Sequence, residues 1–400
     1  MTSPAVVLSD LELLARLVSY DSTSHHSNLP IADAICDYLD RPGIRIQRNP
    51  NADGDKTNLI VQVGPEIPTD RSGLSLSGHM DVVPATEPEW TSDPFELVDR
   101  GEHVVARGAC DMKGFVALAV NAAVRWSQRR DDLRAPLALL LTFDEEVGTL
   151  GAHHFVDTWP LDRHPLPRRA VIGEPTSLRA VRLHKGHARG QLILRGTPAH
   201  SGYPHLGHSA IEPMGRAIVA LSRLGEDLRA ERHDASKYFP EVPFVALNLA
   251  RIDGGAAINI VPDLCRLDVG FRVLPGIETD AIHARLRETV AEVLDGEDWA
   301  YQPGDESPPM NLPEDHDLHR AVCALHGQTE TVSASYATDA GWFQTGGFDC
   351  VLYGPGDIGV AHKPNESLPK TELEQCSHDL DRLIETFCVE EADTKGRPAS

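Results

Sequence analysis

The chain has 400 residues, with 37 basic side chains against 60 acidic ones and a formal charge of −23. That length exceeds what one core usually serves and predicts two domains. The acidic balance argues against nucleic acid or an anionic membrane as partner, though not against a small anionic substrate, because local metals and arginines set the field in a site.

The amino terminus, Met-Thr-Ser-Pro-Ala-Val-Val-Leu-Ser-Asp, lacks the basic region of a secretory signal, and no window reaches the roughly 18 to 20 apolar residues of a membrane span. The seven cysteines (36, 110, 265, 323, 350, 376, 388) are odd in number, scattered and never spaced Cys-x-x-Cys. That usage fits reduced thiols in the cytoplasm.

In chain order, hydrophobic periodicity predicts helices over Leu11–Val18 and Ile31–Leu39, then strands over Asn58–Val63 and Leu74–Ser77. A helix is expected from Gly114 to about Gln128, and the apolar run 137–143 reads as a buried strand. Near Lys185 the texture changes. Residues 187–197 alternate as a strand, 206–230 carry a long helical pattern, 244–251 and 265–273 are strands, and 278–294 is helical. This β-α-β-β-α order is most of a ferredoxin-like unit. The tail from about Glu390, rich in charge, Gly, Pro and Ser, reads as disordered.

Several acidic or imidazole side chains follow apolar, strand-like runs. They are His79 in Ser-Gly-His-Met-Asp, Asp111 in Cys-Asp-Met-Lys-Gly, Glu145 and Glu146 in Thr-Phe-Asp-Glu-Glu, Glu174 in Ile-Gly-Glu-Pro-Thr, and His362 in Ala-His-Lys-Pro-Asn-Glu. Ligands of open α/β sheets gather at the carboxyl ends of strands, so distant segments can meet there. A single histidine after a strand is usually a hydrogen-bonded structural residue, and adjacent glutamates usually mark a solvated turn. An Asp-Glu-Glu cluster at the end of a buried strand, however, repels itself unless cations are bound. Mixed imidazole and carboxylate donors suit zinc, cobalt or manganese better than calcium or magnesium. Cys110, beside Asp111, reads as a small packed residue ahead of a thiol ligand. Gly354-Pro-Gly-Asp-Ile-Gly lacks the Gly-Lys-Ser/Thr ending of a phosphate loop and reads as a turn delivering His362.

The segments Ser77–Asp81, Gly108–Gly114, Asp144–Glu146, Gly173–Thr176 and Ala361–Glu366 resemble, in order and spacing, the signature segments of the di-zinc metallopeptidases and deacylases. Ala109–Phe115, Ile172–Leu178, Val181–His187 and Tyr353–Ile358 look most like the acetylornithine deacetylase branch. The resemblance implies an α/β fold: a mixed-sheet, zinc-peptidase-like catalytic domain in two parts (1–184 and 298–389), interrupted by a ferredoxin-like lid and dimerisation domain (185–297), with a tail at 390–400. It implies two divalent metal ions, zinc or cobalt. His79 and Glu174 hold one, Glu146 and His362 the other, and Asp111 bridges them. Asp81 orients His79, Glu145 is the general base, and the Asp111–Met112 peptide is cis. His200, in Gly-Thr-Pro-Ala-His-Ser-Gly, supports the oxyanion in the partner subunit of a homodimer, while Asn259 and Arg272 bind the substrate's backbone end.

The implied activity is hydrolysis of the amide of an N-acyl amino acid, with N2-acetyl-L-ornithine as the most specific expectation and arginine biosynthesis as its setting. Succinyl-diaminopimelate desuccinylase, a broader aminoacylase and a carboxypeptidase are the alternatives. Thr338-Asp-Ala340 stands where that branch often carries Thr-Glu-Ala and the desuccinylases Ser-Asp-Gly, so deacylation is the firmer expectation than its object. A catalytically silent binding relative usually lacks a ligand or the base, and this chain has all of them.

Overall fold

A computed structural model of the chain describes residues 6–389; the expected tail at 390–400 lies outside them. The chain divides into two units, one holding the chain up to Arg182, Leu312–Val332 and the chain from Trp342, the other holding Leu183–Asn311 and Ser333–Gly341.

The first unit is built on a mixed sheet. The strands Ile44–Pro50, Thr57–Val63 and Leu137–Thr142 pair antiparallel. Leu137–Thr142, Leu74–His79, Arg169–Ile172 and Asp349–Leu352 then run parallel side by side. Central parallel strands are covered on both faces and read as continuous apolar runs, as Leu137–Thr142 does: every residue in it is buried. The helix Gly114–Gln128 is buried on nearly all sides, only Arg125 and Gln128 escaping. It contributes Phe115, Val116, Leu118 and Val120 to the same core as Leu59, Leu76 and Leu139.

The parallel register sets the site. His79 pairs with Thr142, and Ser77 with Ile172, so His79, the turn after Phe143 and Glu174 all leave the sheet at one end. Gly173 makes this possible for Glu174, because a Cβ there would lie 1.9 Å from the Phe115 ring.

The second unit has strands Gly186–Arg195, Ala246–Gly254, Leu264–Val273 and Asp298–Ser307, with helices Ile211–Ala230 and Thr279–Ala291. The strands pair antiparallel in the order 246–254, 264–273, 186–195, 298–307, which completes a ferredoxin-like unit. Cys265, Leu267, Val269 and Phe271 alternate on its buried face and meet Met214, Leu221 and Leu286 of the helices.

Two expectations shift. The inserted unit does not end at 297, because Asp298–Ser307 is the fourth strand of its sheet and the chain returns to the first unit at Leu312. Pro303 and Gly304 interrupt the alternation of that strand, and its register shifts between Pro303 and Glu306, which hides it from periodicity. The helix expected from 206 starts at Ile211, since Thr197 and His208 exchange backbone hydrogen bonds of 2.8 Å and hold the preceding segment extended.

The tight contact at Gly173 yields a prediction. Gly173→Ala should lower unfolding stability by about 1 to 3 kcal/mol, the usual cost of overpacking, and Phe115→Leu should recover part of that loss in the double variant. A urea midpoint for Gly173→Ala equal to wild type contradicts the packing described.

Candidate metal centre

His79, the last residue of the strand Leu74–His79, is 1% exposed, and Asp111 is 4% exposed in the turn Ala109–Lys113 that enters the buried helix. His79 Nε2 is 3.1 Å from Asp111 Oδ1. His362 Nε2 is 3.3 Å from Asp111 Oδ2 and 2.9 Å from Glu146 Oε2. Asp111 therefore presents one oxygen to each histidine. His79, Asp111 and Glu146 offer ligand atoms within 4.8 Å of one another. Glu174 is not one of those three, although it is 4% exposed and stands two residues beyond the neighbouring strand Arg169–Ile172. The Asp111–Met112 peptide is cis, in line with the resemblance.

The electrostatics show what the cluster needs. Burial disfavours a charged His79, but hydrogen bonds to Asp111 and Asp81 prevail and raise its pKa well above the ordinary value. His362 is raised to about 10 by hydrogen bonds to Asp111 and Glu146. Burial, then the charge of Asp111, raises Glu146 to about 7. For Asp111, burial is outweighed by hydrogen bonds from His362 and His79, which hold its carboxyl below the usual range. Without metal, protons on the two histidines supply the neutralising charge. Glu146 Oε1 is buried and accepts no hydrogen bond among the described residues. An acceptor of this kind costs free energy unless a cation or donor meets it, so the donor set fits bound divalent ions.

The residues around the cluster hold it. His79 Nδ1 lies 2.9 Å from the Asp81 carbonyl and 3.5 Å from the Asp81 carboxylate, so the backbone oxygen makes the closer contact. The Asp81 carboxylate also accepts the N–H groups of Glu145 (3.1 Å) and Glu146 (3.3 Å) and the Ser24 hydroxyl (2.7 Å). Lys56 donates to Asp144 and to the Ser24 carbonyl, and Asp144 takes a left-handed φ of 51°, so the turn carrying Glu145 and Glu146 is pinned on both sides.

Sequence reading assigned no role to Lys56, Ser24, Arg107 or Glu366. Glu366 ends the quoted His362 segment, but its partner Arg107 lies 259 positions away, and no local pattern joins them. Cys110 is buried, with Sγ 3.6 Å from the Asp357 carbonyl and its thiol pKa raised by burial. All seven cysteines are free.

The remaining predicted residues fall in the second unit. Asn259 is brought to the His200 segment: the Ser201 N–H donates to the Asn259 carbonyl at 2.9 Å, and His200 and Ile260 form a backbone bridge. Arg272 is on the strand Leu264–Val273, paired with His187.

The sheet and the cluster at its end are those of a metal-dependent hydrolase. A metallo-carboxypeptidase of the M20 family from Sulfolobus solfataricus has the same fold, with a TM-score of 0.77 at 16% identity over 94% of this chain and 99% of that one. A dinuclear metal-binding peptidase of the M20 family from Bacillus subtilis superposes with a TM-score of 0.68 at 15% identity over 94% and 96% of the two chains. The profile of peptidase family M20/M25/M40 matches residues 75–386, and the chain belongs to that family. An acetylornithine deacetylase from Myxococcus xanthus is 36% identical over 385 residues, 94% of this chain and 96% of its own length.

Adding zinc to metal-free protein should raise its unfolding free energy, by about 2.7 kcal/mol for each ion bound at a hundredfold excess over its dissociation constant. Because the histidines carry raised pKa values without metal, uptake should expel protons, and apparent affinity should rise from about pH 6 to about pH 8. Calorimetric titrations in buffers of different ionisation enthalpy read this directly; metal uptake without proton release contradicts it.

Proposed function

We propose that the protein hydrolyses the amide bond of N-acyl amino acids, most specifically N2-acetyl-L-ornithine to L-ornithine and acetate, as a cytoplasmic step of arginine biosynthesis. The observation that carries the reading is Asp111, buried with one carboxylate oxygen toward His79 and the other toward His362. In this reading His79 and Glu174 hold one divalent ion, Glu146 and His362 the other, and Asp111 both. Nitrogen and oxygen donors of this kind favour zinc, with cobalt able to replace it. The substrate class is supported by relatives called acetylornithine deacetylase at 33–36% identity. Among the described residues no helix is long and apolar enough to cross a membrane.

When bound, the ions would polarise the amide carbonyl and make a water acidic enough to attack near neutral pH. Glu145 takes the proton released in that attack and returns it to the departing amine. Its backbone is fixed by the Asp81 carboxylate, so the base is held from behind by a group that does not itself react. Arg272 offers a two-toothed grip for the substrate's carboxylate, and Asn259 a neutral amide beside the His200 segment.

His200 supplies the hydrogen-bond donor to the developing oxyanion. Its Nδ1 accepts the Gly202 N–H at 3.0 Å, which leaves Nε2 to carry the ring proton of the neutral imidazole. We place this donor in the partner's site of a homodimer formed through the inserted unit. That unit exposes Ile252 (53%) on the edge strand Ala246–Gly254, and Val219 (53%) and Ile211 (40%) on the helix Ile211–Ala230. An edge strand with apolar neighbours is a ready pairing surface.

A turnover screen of N-acetylornithine, N-succinyl-diaminopimelate, other N-acyl amino acids and dipeptides should show the highest kcat/KM for N-acetylornithine; preference for a dipeptide or the succinyl substrate replaces this assignment. Glu145→Gln should keep its metal and lose about 10² to 10⁴ in kcat, and retention of more than a tenth of the rate moves the base elsewhere. Mixing inactive Glu145→Gln with inactive His200→Ala protein under subunit exchange should restore activity, since one site in the mixed dimer combines both wild-type residues. Confirmed exchange without recovery assigns His200 to its own chain or to no catalytic role.

A further inference from the structure

Behind the metal cluster lies a second charged pair. Arg107 is fully buried and Glu366 is 1% exposed. Glu366 Oε2 accepts from Arg107 Nη1 at 2.8 Å, while Oε1 accepts the N–H groups of Cys110 (2.8 Å) and Asp111 (2.9 Å). Arg107 also donates to the Lys363 carbonyl (3.3 Å) and the Pro84 carbonyl (3.2 Å), and its guanidinium stands 5.2 Å from the centre of the Trp90 ring.

Strand pairing explains how the two residues meet. Ser367 pairs antiparallel with Val105 and Leu368 with Val104, and the ladder continues through the Ala106 N–H to the Glu366 carbonyl at 3.1 Å. Arg107 and Glu366 emerge together from the same end of that ribbon.

We propose that Glu366, paired with Arg107, is a positioning residue that sets the separation of Asp111 from His362 and so builds the pair of metal positions; this rests on the metal assignment of the preceding subsection. One carboxylate grips the backbone of Asp111 directly and belongs to the segment that carries His362 four residues earlier. The arginine grips that segment again at Lys363. Asn365, in the same segment, accepts the Thr91 N–H (2.9 Å) and donates to the Glu89 carbonyl (2.9 Å).

His362 itself has a left-handed φ of 60°, a conformation a non-glycine residue keeps only where its surroundings impose it. Bonds to an ionised acceptor are about twice as strong as neutral ones, and two adjacent N–H groups on one carboxylate oxygen fix the peptide plane of Asp111. The guanidinium makes a second carboxylate so close to Asp111 tolerable, because a buried charge needs a paired partner.

A purely structural pair would lower stability and leave the metal site alone. The distinguishing experiment uses full-length, metal-free wild type, Glu366→Gln, Glu366→Asp, Arg107→Met and Arg107→Lys, held at a temperature where circular dichroism shows each to be folded. Each is titrated with zinc against a chromophoric chelator, and the cobalt-loaded forms are recorded by absorption. Wild type should take up two ions. Glu366→Gln and Arg107→Met should weaken uptake by about 10- to 100-fold, the range seen when groups supporting metal ligands are removed, and should alter the cobalt spectrum.

Arg107→Lys, which keeps the charge without the fork, should recover part of the affinity. Glu366→Asp, which draws the carboxylate back, should weaken uptake too, and it carries the test if Glu366→Gln does not fold. Wild-type affinity and spectrum in the folded variants, with only the melting temperature lowered, overturn the positioning role. Fewer than two ions on wild type overturn the metal assignment and the positioning role together.

Discussion

Two buried acids, Asp111 and Glu174, and Glu146, whose side chain is 5% exposed, stand at the carboxyl end of a sheet whose interior is apolar, and a low-dielectric setting tolerates such a gathering only with compensating positive charge. Much of the catalytic unit follows from meeting that requirement. Both histidines hydrogen-bond the Asp111 carboxylate, with Asp81 adding to the effect on His79 against its burial and Glu146 adding to that on His362, which is why both pKa values are raised.

Rigidity of the cluster comes from charged and polar groups one layer out. Asp81 receives the backbone N–H groups of Glu145 and Glu146, Lys56 holds Asp144 and the Ser24 carbonyl, and Glu366 holds the backbone of Asp111. Each of these contacts runs from a buried side chain to a turn, where the regular ladder of the sheet has ended. In the turn carrying Glu145 and Glu146 the N–H groups of Gly148, Thr149, Leu150 and Gly151 bond to backbone carbonyls within the turn, whereas those of Glu145 and Glu146 are met by the Asp81 carboxylate. The active turns can therefore adopt the left-handed conformations of Asp144 and His362 without losing order.

The strands and helices with strong periodicity were legible in the chain: Leu137–Thr142 as an unbroken apolar run, Gly114–Gln128 as a helix, and the alternating Leu264–Val273. The strand Asp298–Ser307 is not, because its Pro303-Gly304 break and exposed charged residues carry no period-two signal, so periodicity alone ends the inserted unit one strand early. At the site, residue types and their places after apolar runs were readable, since the chemistry of a metal ligand is local. The supporting pairs were not, because Arg107–Glu366 and Lys56–Asp144 depend on which strands pair and in what register. Asp81 shows the limit at a single residue: its place two positions after His79 is visible in the chain, but its further hold on the N–H groups of Glu145 and Glu146 appears only once the strands are laid side by side.

The most direct test of this account is the anomalous difference density of crystals grown with zinc and measured on either side of the zinc absorption edge. Two peaks are expected about 3.5 to 4 Å apart, one beside His79 and one beside His362, with the Asp111 carboxylate between them. A single peak, or a pair that does not share Asp111, contradicts it.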